Sequence, residues 1–175
     1  MDINKEKLDS HINELLKERH LLIIDDEIPI LESLKIALSL KYKAFTALDY
    51  DEAKPILEKE RIDVVILDIQ LPKMRGDDIL IKIKEKDSCT EVIMHTVIKD
   101  DVSQVVKCIK LGAYNYLTKP CDIDTIYGMV NDAYSKCILH RTYKMLYDNY
   151  GKYWKSGNSS IFDYLDGLYK TLFCL

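Results

Sequence analysis

Five side chains with usable chemistry come at the ends of apolar stretches in this sequence. Asp25 and Asp26 follow HLLII, Asp68 follows VVIL, Thr96 follows EVIMH, and Lys119 comes just after YLT. An aspartate can act as a covalent nucleophile towards phosphorus. A lysine and a hydroxyl can neutralise and hydrogen-bond the remaining phosphoryl oxygens. If they converge, these residues predict a site that forms and holds an aspartyl phosphate.

Each of these residues also has an ordinary structural interpretation. Asp68 could begin a turn by accepting hydrogen bonds from nearby backbone N–H groups, and Asp26 could cap the helix that follows it. Thr96 could be a strand or capping threonine, and Lys119 a solvated surface charge. Complementary groups at four strand ends nevertheless favour a shared function over four separate structural roles.

The segments before these residues are typical of a parallel sheet. Val64 to Leu67 is a continuous apolar run, as expected of a strand buried on both faces. Five strands alternate with helices, which favours an α/β fold with helices on both faces of the sheet. Pro55 predicts that the second helix starts late or bends. The predicted strands are 20–24, 43–47, 64–67, 91–95 and 114–117, and the helices are 29–41, 49–60, 77–86, 102–109 and one from about 122.

The carboxyl ends of parallel strands open on one edge, where α/β proteins bind ligands. We therefore expect the five side chains to meet there. Three carboxylates held together repel one another unless a cation compensates their charge. Oxygen ligands of this kind suit Mg²⁺ better than zinc, so the sequence predicts a Mg²⁺ site.

Composition predicts a soluble, cytoplasmic protein. Hydrophobic residues make up 47% and charged residues 31% of the chain, and the formal net charge of -4 disfavours direct nucleic-acid binding. No apolar run approaches the ~18 residues that a membrane span needs. The five cysteines are scattered and form no CxxC pair, which is typical of free thiols in a reducing compartment.

In their order and context, these residues resemble the receiver domains of two-component response regulators. The matching positions are Asp25-Asp26, Asp68 within LDIQLPKMRG, Thr96, Lys119-Pro120 and Tyr116. The resemblance extends over residues 21–137. It implies a flavodoxin-like fold: a doubly wound, five-stranded parallel sheet of order 2-1-3-4-5.

The resemblance also implies roles for individual residues. Asp68 would be the phosphoacceptor, receiving its phosphoryl group from a sensor histidine kinase or a phosphotransfer protein. Thr96 and Lys119 would bind phosphoryl oxygens, Thr96 and Tyr116 would form the conformational switch, and the Lys119–Pro120 bond would be cis. The implied Mg²⁺ ligands are Asp25, Asp26, Asp68 and the backbone carbonyl of Gln70.

Two positions depart from the family pattern. Val97 stands where a small residue usually follows the threonine, and its bulk could crowd the phosphoryl group or slow attack by water. Leu71 stands where a methionine often precedes the proline, a nearly isosteric change. Neither departure removes a reacting group.

The chain ends extend beyond the receiver-like region. We expect an N-terminal helical extension at 1–19, a receiver domain at 20–137 and a C-terminal helical extension at 138–175. The last of these carries apolar residues at helical spacing in 161–175. That stripe predicts packing on the domain itself, a homodimer or docking of a partner protein. An output domain in a longer natural chain is a further alternative.

The favoured function is a phosphorylation-dependent signalling switch that is not a conventional enzyme. Its output would pass through the face formed by the fourth helix, fifth strand and fifth helix, and through the C-terminal segment. One alternative is a haloacid-dehalogenase-like phosphatase, but Gln70 stands where those enzymes carry a second acid. Another alternative is a receiver-like scaffold that is never phosphorylated, which the intact acid cluster disfavours.

Overall fold

The structure is a computed structural model that describes residues 10, 13, 16–97 and 102–154, without the side chains of 102 and 149–154. Two compact units are distinguished. One is Glu18–Cys137, and the other combines Met1–Lys17 with Ile138–Leu175. Before residue 18, the described residues 10, 13, 16 and 17 are helical. The predicted apolar stripe at 161–175 lies outside the described residues.

Strands and helices alternate along the described chain. Strands β1, β2 and β3 have the predicted bounds, β4 extends one residue further than predicted, to Thr96, and β5 is shifted by one residue from 114–117 to Asn115–Thr118. The elements are β1 (His20–Ile24), α1 (Ile28–Leu38), β2 (Lys43–Ala47), α2 (Tyr50–Lys59), β3 (Val64–Leu67), α3 (Gly76–Lys86), β4 (Glu91–Thr96), α4 (Val102–Lys110), β5 (Asn115–Thr118) and α5 (Ile123–Trp154).

The five strands form one parallel sheet in the order β2-β1-β3-β4-β5. The predicted α/β fold and strand order are confirmed. In the registers, Ile24 is opposite both Ala47 and Leu67, and Leu67 is opposite Met94. Three neighbouring strands therefore end at nearly the same level, and the residues that follow them emerge at one edge.

The central strands are buried on both faces, as the apolar run Val64–Leu67 predicts. Side chains of successive strand residues point to opposite faces. One face belongs to a core cluster that includes Leu22, Val65 and Met94. Ile93 and His95 lie on the other face of β4 and are also buried.

The start of α2 departs from the sequence prediction. Helix α2 begins at Tyr50 and contains Pro55, so the predicted late start is wrong. The reason is a reciprocal cap. The Asp49 carboxylate accepts a hydrogen bond from the Glu52 N–H at 3.1 Å, and Glu52 accepts one from the Leu48 N–H at 2.9 Å. Such a cap satisfies orphan backbone donors and favours a start at this point despite the proline.

Among the described residues, no helix is both long enough and apolar enough to cross a membrane.

Candidate functional site

The carboxyl edge of the sheet brings the three predicted acids together. Asp68 donates its backbone N–H to Ile24 O at 2.9 Å, and Asp25 donates its N–H to Ala47 O at 3.1 Å. The sheet thus continues through the backbone of both aspartates and holds them in place. One carboxylate oxygen from each of Asp25, Asp26 and Asp68 lies within 4.8 Å of the others. Asp25 and Asp68 are buried, whereas Asp26 is exposed.

Lys119 joins two of these acids. Its Nζ lies 2.7 Å from Asp25 Oδ2 and 2.7 Å from Asp68 Oδ2. Its side chain is only 8% exposed, so the interpretation as a solvated surface charge does not describe it. The Lys119 backbone N–H donates to Thr96 O at 2.9 Å, and the Lys119–Pro120 peptide bond is cis. The lysine is therefore anchored to the end of β4 while its ammonium group bridges the carboxylates.

The electrostatics of the pair follow from burial and contact. Burial raises the pKa of Asp25, and hydrogen bonds from Lys119 and the Glu27 N–H oppose that rise only in part. Burial acts to lower the pKa of Lys119, but its hydrogen bonds with Asp25 and Asp68 outweigh this effect and raise the pKa. The ammonium group is therefore held in its charged form, where it offsets part of the negative charge of the cluster.

The loop after β3 is pulled tightly towards Asp68. The Gln70 N–H donates to Asp68 Oδ1 at 3.0 Å, and the Gly76 N–H donates to Ile69 O at 3.0 Å. A Cβ placed on Gly76 would lie 2.2 Å from Asp68 O and 2.7 Å from Ile69 Cα. Glycine is therefore required here by a close backbone approach. The sequence predicts only a chain breaker at this position.

The two predicted switch residues lie on neighbouring strands. Thr96 is buried at the end of β4, and its register partner on β5 is Thr118. Tyr116 pairs with Met94, and its side chain is 40% exposed. Val97, the bulky residue after the threonine, is 42% exposed. The structure thus places Thr96 at the acidic edge and Tyr116 on the adjacent strand, two residues before the partner of Thr96 and partly in solvent.

Comparison with known proteins identifies the family of this chain. Residues 21–131 match the response regulator receiver domain family. The chain belongs to this family. The match confirms the resemblance that the strand-end residues predict, and makes the protein a two-component signalling domain rather than a member of a conventional enzyme family.

Relatives of this receiver domain include the Guillardia theta protein named "Probable transcriptional regulator ycf27". It is 34% identical over 78% of this chain and 52% of its own length. The receiver domain spans about half or less of the curated relatives that it matches.

Solved structures show the same fold. A CheY-like receiver domain protein from Methanospirillum hungatei is 26% identical, with a TM-score of 0.65, over 69% of this chain and 96% of that one. The structure titled "BeF3 Activated DrrB Receiver Domain" is 29% identical, with a TM-score of 0.62, over 66% of this chain and 97% of that one.

A buried acid outside the predicted set connects α3 to α4 in this receiver domain. Asp77 forms ion pairs with Arg75 and Lys107, and accepts a hydrogen bond from Gln104 Nε2 at 3.3 Å. Burial alone would raise the pKa of Asp77, but these partners lower it to about 2. The sequence predicts only that Asp77 lies at the start of α3. Its partners Gln104 and Lys107 are 27 and 30 residues further along the chain, and no helix or strand periodicity predicts contacts at those separations. We interpret this acid as a structural link between the two helices.

His95 is a second residue that the sequence analysis did not single out. His95 is 4% exposed, and within the described residues neither of its ring nitrogens has a hydrogen-bond partner. Burial and the charge of Lys119 lower the pKa of His95 to about 4, while the charges of Asp68 and Glu27 act in the opposite direction. Its position in an apolar strand run predicts burial, but only the tertiary structure shows that its ring nitrogens lack partners.

The depressed pKa of His95 makes a prediction about acid stability. In the unfolded state His95 takes up a proton near its ordinary pKa of 6.5. In the folded state it takes up the proton only near pH 4. The histidine's contribution to stability is therefore complete above pH 6.5 and is lost as pH falls towards 4. Between pH 7 and pH 4, wild type should lose about 3 kcal/mol more free energy of unfolding than His95→Leu. Urea unfolding of both proteins at the two pH values measures this difference, and parallel pH profiles would contradict it.

Proposed function

We propose that this receiver domain accepts a phosphoryl group on Asp68 from a phosphohistidine of a sensor kinase or phosphotransfer protein. The observation that carries the proposal is the position of Asp68, a buried carboxylate at the sheet edge. Its Oδ2 lies 2.7 Å from Lys119 Nζ, beside two further acids. A carboxylate oxygen of Asp68 attacks phosphorus, the phosphorus–nitrogen bond breaks, and the donor imidazole leaves with the bonding electron pair.

The acid cluster suits a Mg²⁺ ion. Three carboxylates supply hard oxygen donors, and only Asp26 is exposed, which leaves one side of the cluster open to water. Mg²⁺ commonly combines one or two carboxylates with several waters. Asp25, Asp26, Asp68 and the carbonyl oxygen of Gln70 would hold the ion. When bound, it supplies positive charge that offsets the carboxylates and the incoming phosphoryl oxygens.

Lys119 and Thr96 are proposed to receive the phosphoryl oxygens. The Lys119 ammonium group already contacts Asp68, and a phosphoryl group on that carboxylate would bring oxygens to the same neighbourhood. Charge-assisted hydrogen bonds of this kind are stronger than neutral ones. The Thr96 hydroxyl is proposed to donate a second bond from the end of β4. Water attack on phosphorus later returns Asp68 to its free state, so the protein acts on its own phosphoryl group.

Intact-mass measurement after incubation with acetyl phosphate tests the proposal. With Mg²⁺, each chain should gain one phosphoryl group; without Mg²⁺, incorporation should be much slower. A haloacid-dehalogenase-like phosphatase would instead release many equivalents of phosphate per chain without lasting incorporation. A scaffold would show neither incorporation nor phosphate release. Either of the last two results would overturn the proposed function.

Thr96→Ala should separate phosphorylation from switching. The nucleophile and Lys119 remain, so the variant should still take one phosphoryl group. Loss of the hydroxyl removes the force that draws the end of β4 towards the phosphoryl group and opens space for the Tyr116 ring. Backbone chemical shifts on β5 should then change much less on phosphorylation than in wild type. Changes of wild-type size would refute this relay.

The remaining expectations extend the same proposal. We assign the receiver domain to residues 20–137, with extensions at 1–19 and 138–175. Output is proposed through the face of α4, β5 and α5 and through the C-terminal segment, as a homodimer or with a partner protein in the cytoplasm. A phosphoryl group need shift an existing equilibrium by only a few kcal/mol to act in this way. Direct nucleic-acid binding by this chain is not part of the proposal.

A further inference from the structure

Glu27 places a fourth acid at the carboxyl edge of the sheet, beside the three that could hold a metal ion. It comes directly after Asp25 and Asp26, and its Oε1 lies 3.4 Å from Lys119 Nζ. Lys119 Nζ also lies 2.7 Å from Asp25 Oδ2 and 2.7 Å from Asp68 Oδ2. An ammonium group has three N–H donors. Lys119 therefore has as many acidic partners as it has donors.

These three partners differ in how firmly they are held. Asp25 and Asp68 are buried, and the second oxygen of each accepts a backbone N–H. Glu27 donates to Asp25 Oδ1 at 3.0 Å, and Gln70 donates to Asp68 Oδ1 at 3.0 Å. The Glu27 side chain is 58% exposed, and although Glu27 is the N-cap residue of α1, its side chain makes no capping hydrogen bond. Because exposed ion pairs are weak, the carboxylate of Glu27 can leave Lys119 most easily of the three.

A phosphoryl donor that approaches Asp68 needs an N–H of Lys119. Until the phosphorus–oxygen bond forms, the Asp68 carboxylate keeps its negative charge and therefore its ion pair with the ammonium group. The contact of Lys119 with Asp25 is short and buried. The oxygens of the donor must then compete with Glu27, whose negative charge also repels an anionic donor.

We propose that Glu27 is a positioning residue that holds the Lys119 ammonium group in the unphosphorylated domain and yields it to the phosphoryl oxygens of the donor. The carboxylate of Glu27 then turns into water, while Lys119 keeps its place beside Asp25 and Asp68. Because Lys119 must be released from this contact, Glu27 slows phosphorylation. This inference rests on the proposed function and gives Glu27 a part in setting the rate of that reaction.

Glu27→Gln tests whether Glu27 slows phosphorylation. The amide has nearly the size of the carboxylate but no charge, so it binds the ammonium group more weakly. The full chain is incubated with acetyl phosphate at low ionic strength and saturating Mg²⁺, and intact mass is followed over time. Labelling should be about threefold faster than in wild type, as the loss of one exposed ion pair allows. Labelling at the wild-type rate or slower would overturn the proposal.

Glu27→Asp separates the contact with Lys119 from simple charge repulsion. It retains the negative charge, but an aspartate at an N-cap accepts a hydrogen bond from a backbone N–H in the first turn of the helix. The shorter carboxylate should therefore turn towards α1 and leave Lys119, so labelling should again be faster than in wild type. A wild-type rate in Glu27→Asp, together with faster labelling of Glu27→Gln, would show that repulsion alone acts and would refute the positioning role.

Glu32→Gln is the matched control for the charge. Glu32 is an exposed acid on α1, so its substitution changes the net charge by the same amount. This variant should be labelled at the wild-type rate. Acceleration equal to that of Glu27→Gln would show a general effect of charge and would contradict a specific contact with Lys119.

The NMR signal of Lys119 Nζ gives a readout that does not depend on phosphorylation. In the unphosphorylated protein, the ¹⁵Nζ signal should shift in both Glu27 variants and stay unchanged in Glu32→Gln. A signal that does not move in the Glu27 variants would overturn the contact. Absence of labelling in every sample, with the ¹⁵Nζ shift present, would count against the proposed function and leave the contact between Glu27 and Lys119 established.

Discussion

Asp68→Asn should abolish phosphorylation by acetyl phosphate, as measured by intact mass. The amide has nearly the size of the carboxylate and can still accept the hydrogen bond from the Gln70 N–H. It has no negative charge, so it lacks both nucleophilic strength towards phosphorus and the ion pair with Lys119. The variant should remain folded because removing one of three clustered acids reduces their mutual repulsion.

Asp78→Asn is the matched control for this change. Asp78 is an exposed acid on α3, so its substitution alters net charge equally without touching the cluster. It should incorporate one phosphoryl group at the wild-type rate. Equal labelling of Asp68→Asn and Asp78→Asn would show that another residue is the nucleophile. Loss of labelling in both would point to a general effect of charge.

Gly76→Ala should be strongly destabilising and should also impair phosphorylation. The new methyl group would lie 2.2 Å from the Asp68 carbonyl oxygen, which is backbone and cannot rotate away. Either the loop after β3 or the start of α3 must move. Overpacking of this severity costs about 3 kcal/mol. Urea unfolding measures the loss, and intact mass at a temperature where the variant is folded measures the displacement of Asp68.

Gly128→Ala is the control for the glycine substitution. Gly128 lies exposed in α5, and among the described residues no atom outside the neighbouring backbone of its own helix lies within 4 Å of the position where its Cβ would be. Alanine is the better helix former, so this variant should be more stable by about 1 kcal/mol with unchanged phosphorylation. If Gly76→Ala behaved like Gly128→Ala, the close approach of the backbone around Asp68 would not be a constraint.

Much of the fold and of the acidic edge could be predicted because both depend on local patterns. The run Val64–Leu67 indicates a two-sided strand without reference to the rest of the chain, and the structure buries it on both faces. Parallel order then sends Asp25, Asp68 and Thr96 to one edge. The late start predicted from Pro55 was wrong, since hydrogen bonds of the Asp49 and Glu52 side chains set the start of the helix instead.

The rest could not be predicted because it depends on partners that are distant in sequence. Asp77 is buried because Lys107 and Gln104 contact it from α4, and no residue spacing in the sequence predicts these contacts. His95 occupies a strand position that pattern alone assigns to the core. Only the packed structure shows that both ring nitrogens are buried and have no hydrogen-bond partner among the described residues. The requirement for glycine at position 76 likewise comes from a backbone approach across a loop.

The bridge formed by Lys119 has a consequence for how the domain folds. Asp25 follows the first strand in the chain, β1, and Lys119 follows the last, β5. Their ion pair therefore joins segments that are far apart in sequence. Contacts of such long range form late and slow the folding of a chain. A chain still emerging from the ribosome without β5 would have the Asp68 carboxylate but no ammonium group beside it. If Asp68 is the phosphoacceptor, as proposed, competence to receive a phosphoryl group would therefore be acquired only when the last strand is in place.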